Sequence, residues 1–300
     1  VNPVLNMQIR RSARGPIRRA LMSFCLLALS TSSAWAWGQE GHSIIAEIAQ
    51  RRLSPKATAE VARLLGPNHS LASIASWADD IRDSRPETYN WHFVDLPINS
   101  DHYDPATQCV TDDKKGDCII AELTRLTGEV RCAPTDEQKR DALRFAVHFI
   151  GDVHQPLHTV LEAAGGNGIS VEVKMRGALM CRGGPCSVIN SRSNFHRVWD
   201  TTLIQKTTWD WGAYVDRLES GWLKSPDATG ADGGSFADWA EGTHKSAQTA
   251  WNLLPTNRVL DDAYYQSVQP ILDKQLGVAG LRLARFLNEA YDSSSCPRTN

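Results

Sequence analysis

Apolar residues recur at helical spacing along most of the chain. Ile44, Ile45, Ile48, Ala49 and Leu53 mark an amphipathic helix closed before Pro55. A short helix over Pro55–Leu65 follows, then one over Leu71–Arg82 whose buried stripe is Ile74, Trp77, Ala78 and Ile81. Ile119, Leu123, Leu126 and Val130 share a further helix face. Thr135-Asp136-Glu137-Gln138 is a capping box ahead of Leu143, Ala146, Val147 and Ile150. Later helices are read at Phe195–Thr207, Trp209–Leu223, Ala237–Leu254 and Asp261–Tyr291, the last interrupted at Pro270. Only one stretch alternates cleanly. Ile169, Val171, Val173 and Met175 interleave with Ser170, Glu172 and Lys174, a half-buried strand that folds back through the Cys181–Cys186 region as a hairpin. Asn90–Asp95 is short, aromatic and read as extended. No period of 20–50 residues repeats. The pattern predicts a mainly α fold: one multi-helix domain over 37–300 with a small β-hairpin.

Residues 1–36 stand apart from that domain. Arg10, Arg11, Arg14, Arg18 and Arg19 precede a short apolar run, Ala20–Leu29, and Ala34-Trp35-Ala36 has the form of a cleavage site. This predicts a secretory signal, export to the periplasm or medium, and a processed chain starting at Trp37. The run is too short to span a membrane, and no later stretch is long and apolar enough. Among 300 residues, 32 are basic and 34 acidic. Losing the five arginines of the leader, which carries no acid, leaves a formal charge of −7. That argues against wrapping duplex nucleic acid through many Lys/Arg–phosphate contacts, though bound cations would add local positive charge. Six cysteines remain (Cys109, Cys118, Cys132, Cys181, Cys186, Cys296), an even number in an exported chain and hence a disulfide framework. Cys181–Cys186 is the favoured local bridge and the other two pairings stay open; residues 99–118 are polar and carry two cysteines, which suits a disulfide-pinned loop.

The chemistry is concentrated in His148-Phe149-Ile150-Gly151-Asp152-Val153-His154-Gln155-Pro156-Leu157-His158. His148 and Asp152 leave one helix face a turn apart and can share an ion, which Asp152 can also bridge to a second. Pro156 bends the chain and brings His158 from another direction. A single His on an apolar face is most often a satisfied core residue. Here the pattern recurs, since His196 and Asp200 are again i,i+4. Asp79 and Arg82 sit i,i+3 beside a buried stripe, and His92 is a further candidate. At the processed terminus, the Trp37 amine and carbonyl with His42 can chelate an ion. His154 is offset from the ligand face, and His69, His102 and His244 read as solvated. Nitrogen and oxygen ligands without thiolate suit zinc used for hydrolysis. A polynuclear site can clamp the attacking and leaving oxygens of a phosphoryl group.

Trp37…His42, Trp77-Ala78-Asp79, Trp91-His92-Phe93, the His148–His158 run, Gly165-Gly166-Asn167 and His196…Val198-Trp199-Asp200 resemble, in order and spacing, the type I nucleases. These are zinc-dependent nucleases and 3′-nucleotidases that prefer single strands. The resemblance implies three zinc ions. One would be held by Asp79, His92, His148 and Asp152, a second by His158, His196 and Asp200, and a third by Trp37, His42 and a shared oxygen of Asp152. It further implies attack by a metal-activated water to leave 5′-phosphorylated products, with Asp79 and Asp152 in the catalytic set and Arg82 steadying transition-state charge. Phe93 would stack a base, with Asp95, Gly166 and Asn167 at the nucleotide. The expected partners are single-stranded DNA or RNA and nucleotides, with no membrane and a monomeric chain. Two other readings share part of this pattern. A zinc phospholipase C shares the ligand set but would need an aromatic cage for choline. A non-catalytic periplasmic zinc-binding protein would leave Arg82 and an open coordination position without use.

Overall fold

The structure, a computed structural model, describes residues 37–176, 188–208 and 210–296. Helix starts follow cap chemistry. Ser54 caps α2 (Pro55–Leu65), and Thr135 and Gln138 form the reciprocal box that opens α6 (Asp136–Asp152). Asp210, Ser235 and Asp261 cap α9 (Trp211–Ser220), α10 (Phe236–Asn252) and α11 (Asp262–Asp292). The remaining helices are α1 (Gln39–Gln50), α3 (Trp77–Ile81), α4 (Pro105–Gln108), α5 (Ile119–Cys132), α7 (Phe195–Arg197) and α8 (Leu203–Thr207). Among the described residues, none of these is long and apolar enough to cross a membrane.

The core forms around α6, which packs against α1, α2, α3, α5 and α11. Every residue of α6 from Phe145 to Asp152 is buried, so the end of the helix that carries His148 and Asp152 lies inside the molecule. One small sheet has the order β2-β1-β3. β1 (Ser170–Arg176) pairs antiparallel with β2 (Val188–Asn194), from Ser170 opposite Asn194 to Arg176 opposite Val188. β3 (Val259–Asp261) adds a parallel edge. The hairpin therefore supplies two strands of a three-stranded sheet; β3 is too short to show an alternation.

Three other expectations change. Leu71–Arg82 is a 3₁₀ turn at Ala72–Ile74 followed by the short α3, and Asn90–His92 is helical rather than extended. Pro86 fixes the first turn of that 3₁₀ segment, and Thr88 bonds back to the Arg85 carbonyl. Pro270 does not interrupt α11. It lies on the exposed side, where water can satisfy the carbonyl that its ring leaves unbonded. The Cys181–Cys186 bridge lies outside the described residues. Cys109–Cys118 closes the polar loop, and Cys132–Cys296 ties the end of α5 to the segment after α11.

Candidate metal centre

Backbone placement comes first. Trp37 is fully buried, its indole donating to the Gly151 carbonyl at 2.9 Å, while Gly38 N–H donates to the Asp200 carbonyl at 2.8 Å. These bonds press the start of α1 against the ends of the two His/Asp segments. His42 then stacks on His148, with centroids 4.0 Å apart. Gly151 is required at this crossing, because a Cβ there would stand 2.7 Å from His42 Nδ1.

The side chains converge on Asp152. Its Oδ1 lies 3.2 Å from His42 Nε2, and its Oδ2 lies 3.0 Å from His92 Nδ1 and 3.1 Å from His148 Nε2. Asp79 Oδ1 is 3.6 Å from the same nitrogens of His92 and His148. In the second pair, His196 Nε2 is 3.6 Å from Asp200 Oδ1, and the His158 ring centroid is 4.9 Å from that of His196. The turn carrying Asp200 widens to a π-helix over Val198–Thr202, a distortion common at functional sites.

Ring orientation is set from behind. His148, His158 and His196 each donate Nδ1–H at 2.7 Å to a carbonyl, of Ala75, His92 and Gly165 respectively. This fixes the tautomer that turns a basic Nε2 inward. Gly165 has φ +61°, and a Cβ on it would meet the Leu157 carbonyl at 2.5 Å, so only glycine presents that acceptor. Gln155, fully buried, donates to Asp200 Oδ1 at 2.5 Å and accepts from Leu157 N–H.

What the inward atoms lack is a well-aligned hydrogen bond. His42 Nε2, Asp152 Oδ1, His158 Nε2 and His196 Nε2 are buried without a hydrogen bond among the described residues. Three sets of donor atoms each lie within 4.8 Å of one another: His42/Asp79/His148, His92/His148/Asp152 and His158/His196/Asp200. Buried polar atoms this close and this unsatisfied fit divalent cations. Electrostatics agree. Against the burial that would raise them, the neighbouring histidines hold Asp79 at about 2 and Asp152 well below the carboxylate range. Against burial in the other sense, Asp152 and Asp79 hold the His148 ring well above its ordinary value. Burial, then His158, depresses His196 to about 3, and burial lifts the Asp200 carboxyl.

A cavity of about 780 Å³ opens beside the cluster, walled by His92, His158 and His196 with Arg82, Phe93, Asp95 and Asn167. Arg82 donates to the Tyr89 carbonyl at 2.9 Å, with its guanidinium 4.1 Å from the Tyr89 ring centroid. Gly166 does not line this cavity. It turns the chain at φ +80° against Phe195, while Gly165 and Asn167 form the wall.

The other histidines separate cleanly. His154 belongs to none of the three sets. His69 and His102 are exposed, but His244 is buried rather than solvated. Its ring nitrogens face the carbonyls of Thr159 at 2.7 Å and Pro97 at 3.1 Å, bonds possible only because α10 packs on the turn after Pro156. Sequence reasoning passed over Gln155 as a supporting residue. Its one signal was an amide inside an otherwise ligand-and-apolar run.

The profile of the S1/P1 Nuclease family matches residues 37–292. The chain belongs to this family. It is 31% identical to Nuclease P1 of Penicillium citrinum over 290 residues, covering 86% of this chain and 98% of that protein. Nuclease S1 of Aspergillus oryzae is 27% identical over 295 residues (89% and 96% covered). Endonuclease 2 of Arabidopsis thaliana is 29% identical over 292 residues (85% and 90%). As an S1/P1 nuclease, the chain carries its His/Asp sets within the matched span, from His42 to Asp200.

Proposed function

We propose that this S1/P1 nuclease is an exported, zinc-dependent hydrolase of phosphodiester bonds in single-stranded DNA and RNA, with 3′-nucleotidase activity and 5′-phosphorylated products. The observation that carries the reading is the convergence of unpartnered buried donor atoms next to a cavity with an aromatic wall. Asp79, His92, His148 and Asp152 would hold one zinc ion; His158, His196 and Asp200 a second; Trp37, His42 and Asp152 a third. When bound, the cations supply an acidified water and offset charge developing on phosphorus and the leaving oxygen.

The chain's own groups do the rest. Phe93 offers a ring edge-on to Tyr89 at 6.3 Å and stacks an unpaired base, a sequence-tolerant contact closed to paired bases. Asp95 and Asn167 meet the base edge. The Asn167 amide N–H₂ already donates to the Ala164 carbonyl at 2.9 Å, leaving its oxygen as the free acceptor. Arg82, steadied by Tyr89, meets the negative charge that builds in the transition state. Exposed choline would call for a cage of aromatics, which the Phe93 cavity with its Asp95 and Asn167 does not provide.

Removal of residues 1–36 would free the Trp37 amine. Processed protein is expected to contain three zinc ions by elemental analysis and to cleave single-stranded DNA with phosphate on the 5′ end of each product. Protein extended upstream of Trp37 should bind one ion fewer and be nearly inactive. Equal metal content and rate in the two forms would refute the Trp37 assignment.

A further inference from the structure

A second polar cavity, of about 650 Å³, reaches the same cluster from another side. Asp79, Asp80, Ser76 and Gln39 line it together with Arg63, Arg140 and Arg144. It shares no lining residue with the Phe93 cavity. Asp79 therefore stands between the catalytic cluster and a groove to which the reaction, as described above, assigns no role.

The arginines of this groove differ in how their charge is used. Arg63 is spent, since its guanidinium bridges Glu60 and Asp136. Arg140 donates from Nε to the Leu64 carbonyl at 2.6 Å, and among the described residues neither of its terminal amino groups has a partner. Arg144 lies over Trp77, 4.9 Å from the ring centroid, with a single 3.3 Å contact to Asp141. Its Nε is buried and has no hydrogen-bond acceptor among the described residues. Holding a guanidinium over an indole while one N–H goes unmet is costly unless an anion completes it. In a chain whose processed form is acidic, two under-used arginines side by side form a local exception. Positions 140 and 144 are one turn apart on α6, the helix that also carries His148 and Asp152, so this spacing is rigidly registered to the cluster.

We infer that this groove binds the phosphate backbone of a single strand on the far side of the scissile phosphate from the base held at Phe93. Arg140 and Arg144 contact successive phosphodiesters as the strand leaves the cluster past Asp79. The inference rests on the phosphodiesterase reading above. It goes beyond that reading by separating two kinds of substrate: a 3′-mononucleotide fills only the Phe93 cavity, whereas an oligonucleotide needs both.

The test compares processed, zinc-loaded wild type with Arg140→Gln/Arg144→Gln on a 3′-mononucleotide and on a single-stranded 12-mer. KM for the 12-mer should rise about tenfold, and the log–log salt dependence of its binding should become shallower by about 1.4, from about 0.7 per lost charge. KM and kcat for the mononucleotide should not change. Arg140→Gln alone leaves the Arg144–Trp77 contact intact and should shift the 12-mer in the same direction by about threefold, which covers the case of a double variant that folds poorly. Unchanged 12-mer kinetics and salt slope, or equal losses on both substrates, would overturn the groove. Should wild type hydrolyse neither substrate, the enzymatic reading fails instead; anisotropy of a labelled 12-mer, weaker for the variant, would still support the groove, and equal binding would remove it.

Discussion

Two groups of buried histidines in this molecule look alike by composition and burial and differ in what their second nitrogen meets. His158 and His196, each 5% exposed, donate Nδ1–H to a carbonyl and turn Nε2 toward the Asp200 set without a hydrogen bond among the described residues. His154 and His244, at 0% and 1%, have a polar protein group beside each ring nitrogen. His154 bonds the Ile150 carbonyl at 2.6 Å and accepts from Arg282 at 2.8 Å; His244 lies between two carbonyls. His154 is only two positions from Asp152, yet it faces away into the contact with Trp239 and Arg282. Burial alone therefore does not separate the two groups. The unmet inward atom does, because a buried donor or acceptor without a partner costs about 1–3 kcal/mol unless something arrives to complete it.

The comparison is broken most severely at its centre. Asp152→Asn keeps the volume and removes the charge that three histidines share. It should lower hydrolysis of single-stranded DNA by about 10³-fold or more, and elemental analysis should find fewer ions per chain. An Asp152→Asn protein with full metal content and near-normal turnover would sink the reading of the unpaired atoms.

Gln155→Leu sharpens the contrast one step out. Gln155 does not point at the shared cluster; it holds Asp200 in place. Loss of such a support typically costs about 10–100-fold in metal affinity, so zinc titration of the variant should show one weakened class of site and the others unchanged. Uniform weakening of every site would make Gln155 a general packing residue.

The satisfied histidines should behave in the opposite way. His154→Leu strips the acceptor from Arg282, a guanidinium that burial has already brought down to about 10. Stability should fall by about 2–3 kcal/mol in urea unfolding, with zinc content and kcat intact. Any loss of bound zinc from this variant would erase the distinction between the two groups.

How much of this was legible beforehand follows from the same physics. The His148/Asp152 and His196/Asp200 spacings could be read because helical periodicity converts sequence distance into direction. Local signals also carried the capping box at Thr135 and the alternation of β1. The π-widened turn at Val198–Thr202 and the parallel edge β3 could not be read, since both depend on what packs across from them. His244 was misjudged for that reason: its acceptors, the carbonyls of Thr159 and Pro97, lie 85 and 147 positions away. The basic groove escaped notice because Arg140 and Arg144 look like ordinary solvated helix residues until Trp77 and Asp79 are brought beside them.

A smaller effect extends the contrast from nitrogen to oxygen. Burial, with Glu162 nearby, pushes the Asp95 carboxyl up to about 6 from an ordinary value of 3.8. The folded chain therefore holds the Asp95 proton more tightly than the unfolded chain between about pH 4 and pH 6. Stability from this group is lost as pH rises through that window, and the full penalty remains above it. The shift sets an upper bound of about 3 kcal/mol. Asp95→Asn should accordingly match wild type in urea unfolding at pH 3.5 and exceed it at pH 7, with the gap opening between those values. A constant gap at both pH values would mean that the carboxyl titrates normally. Such a cost is tolerated at a cavity wall for the reason that holds at His158 and His196, since the group faces the place where a substrate, rather than the protein, completes its contacts.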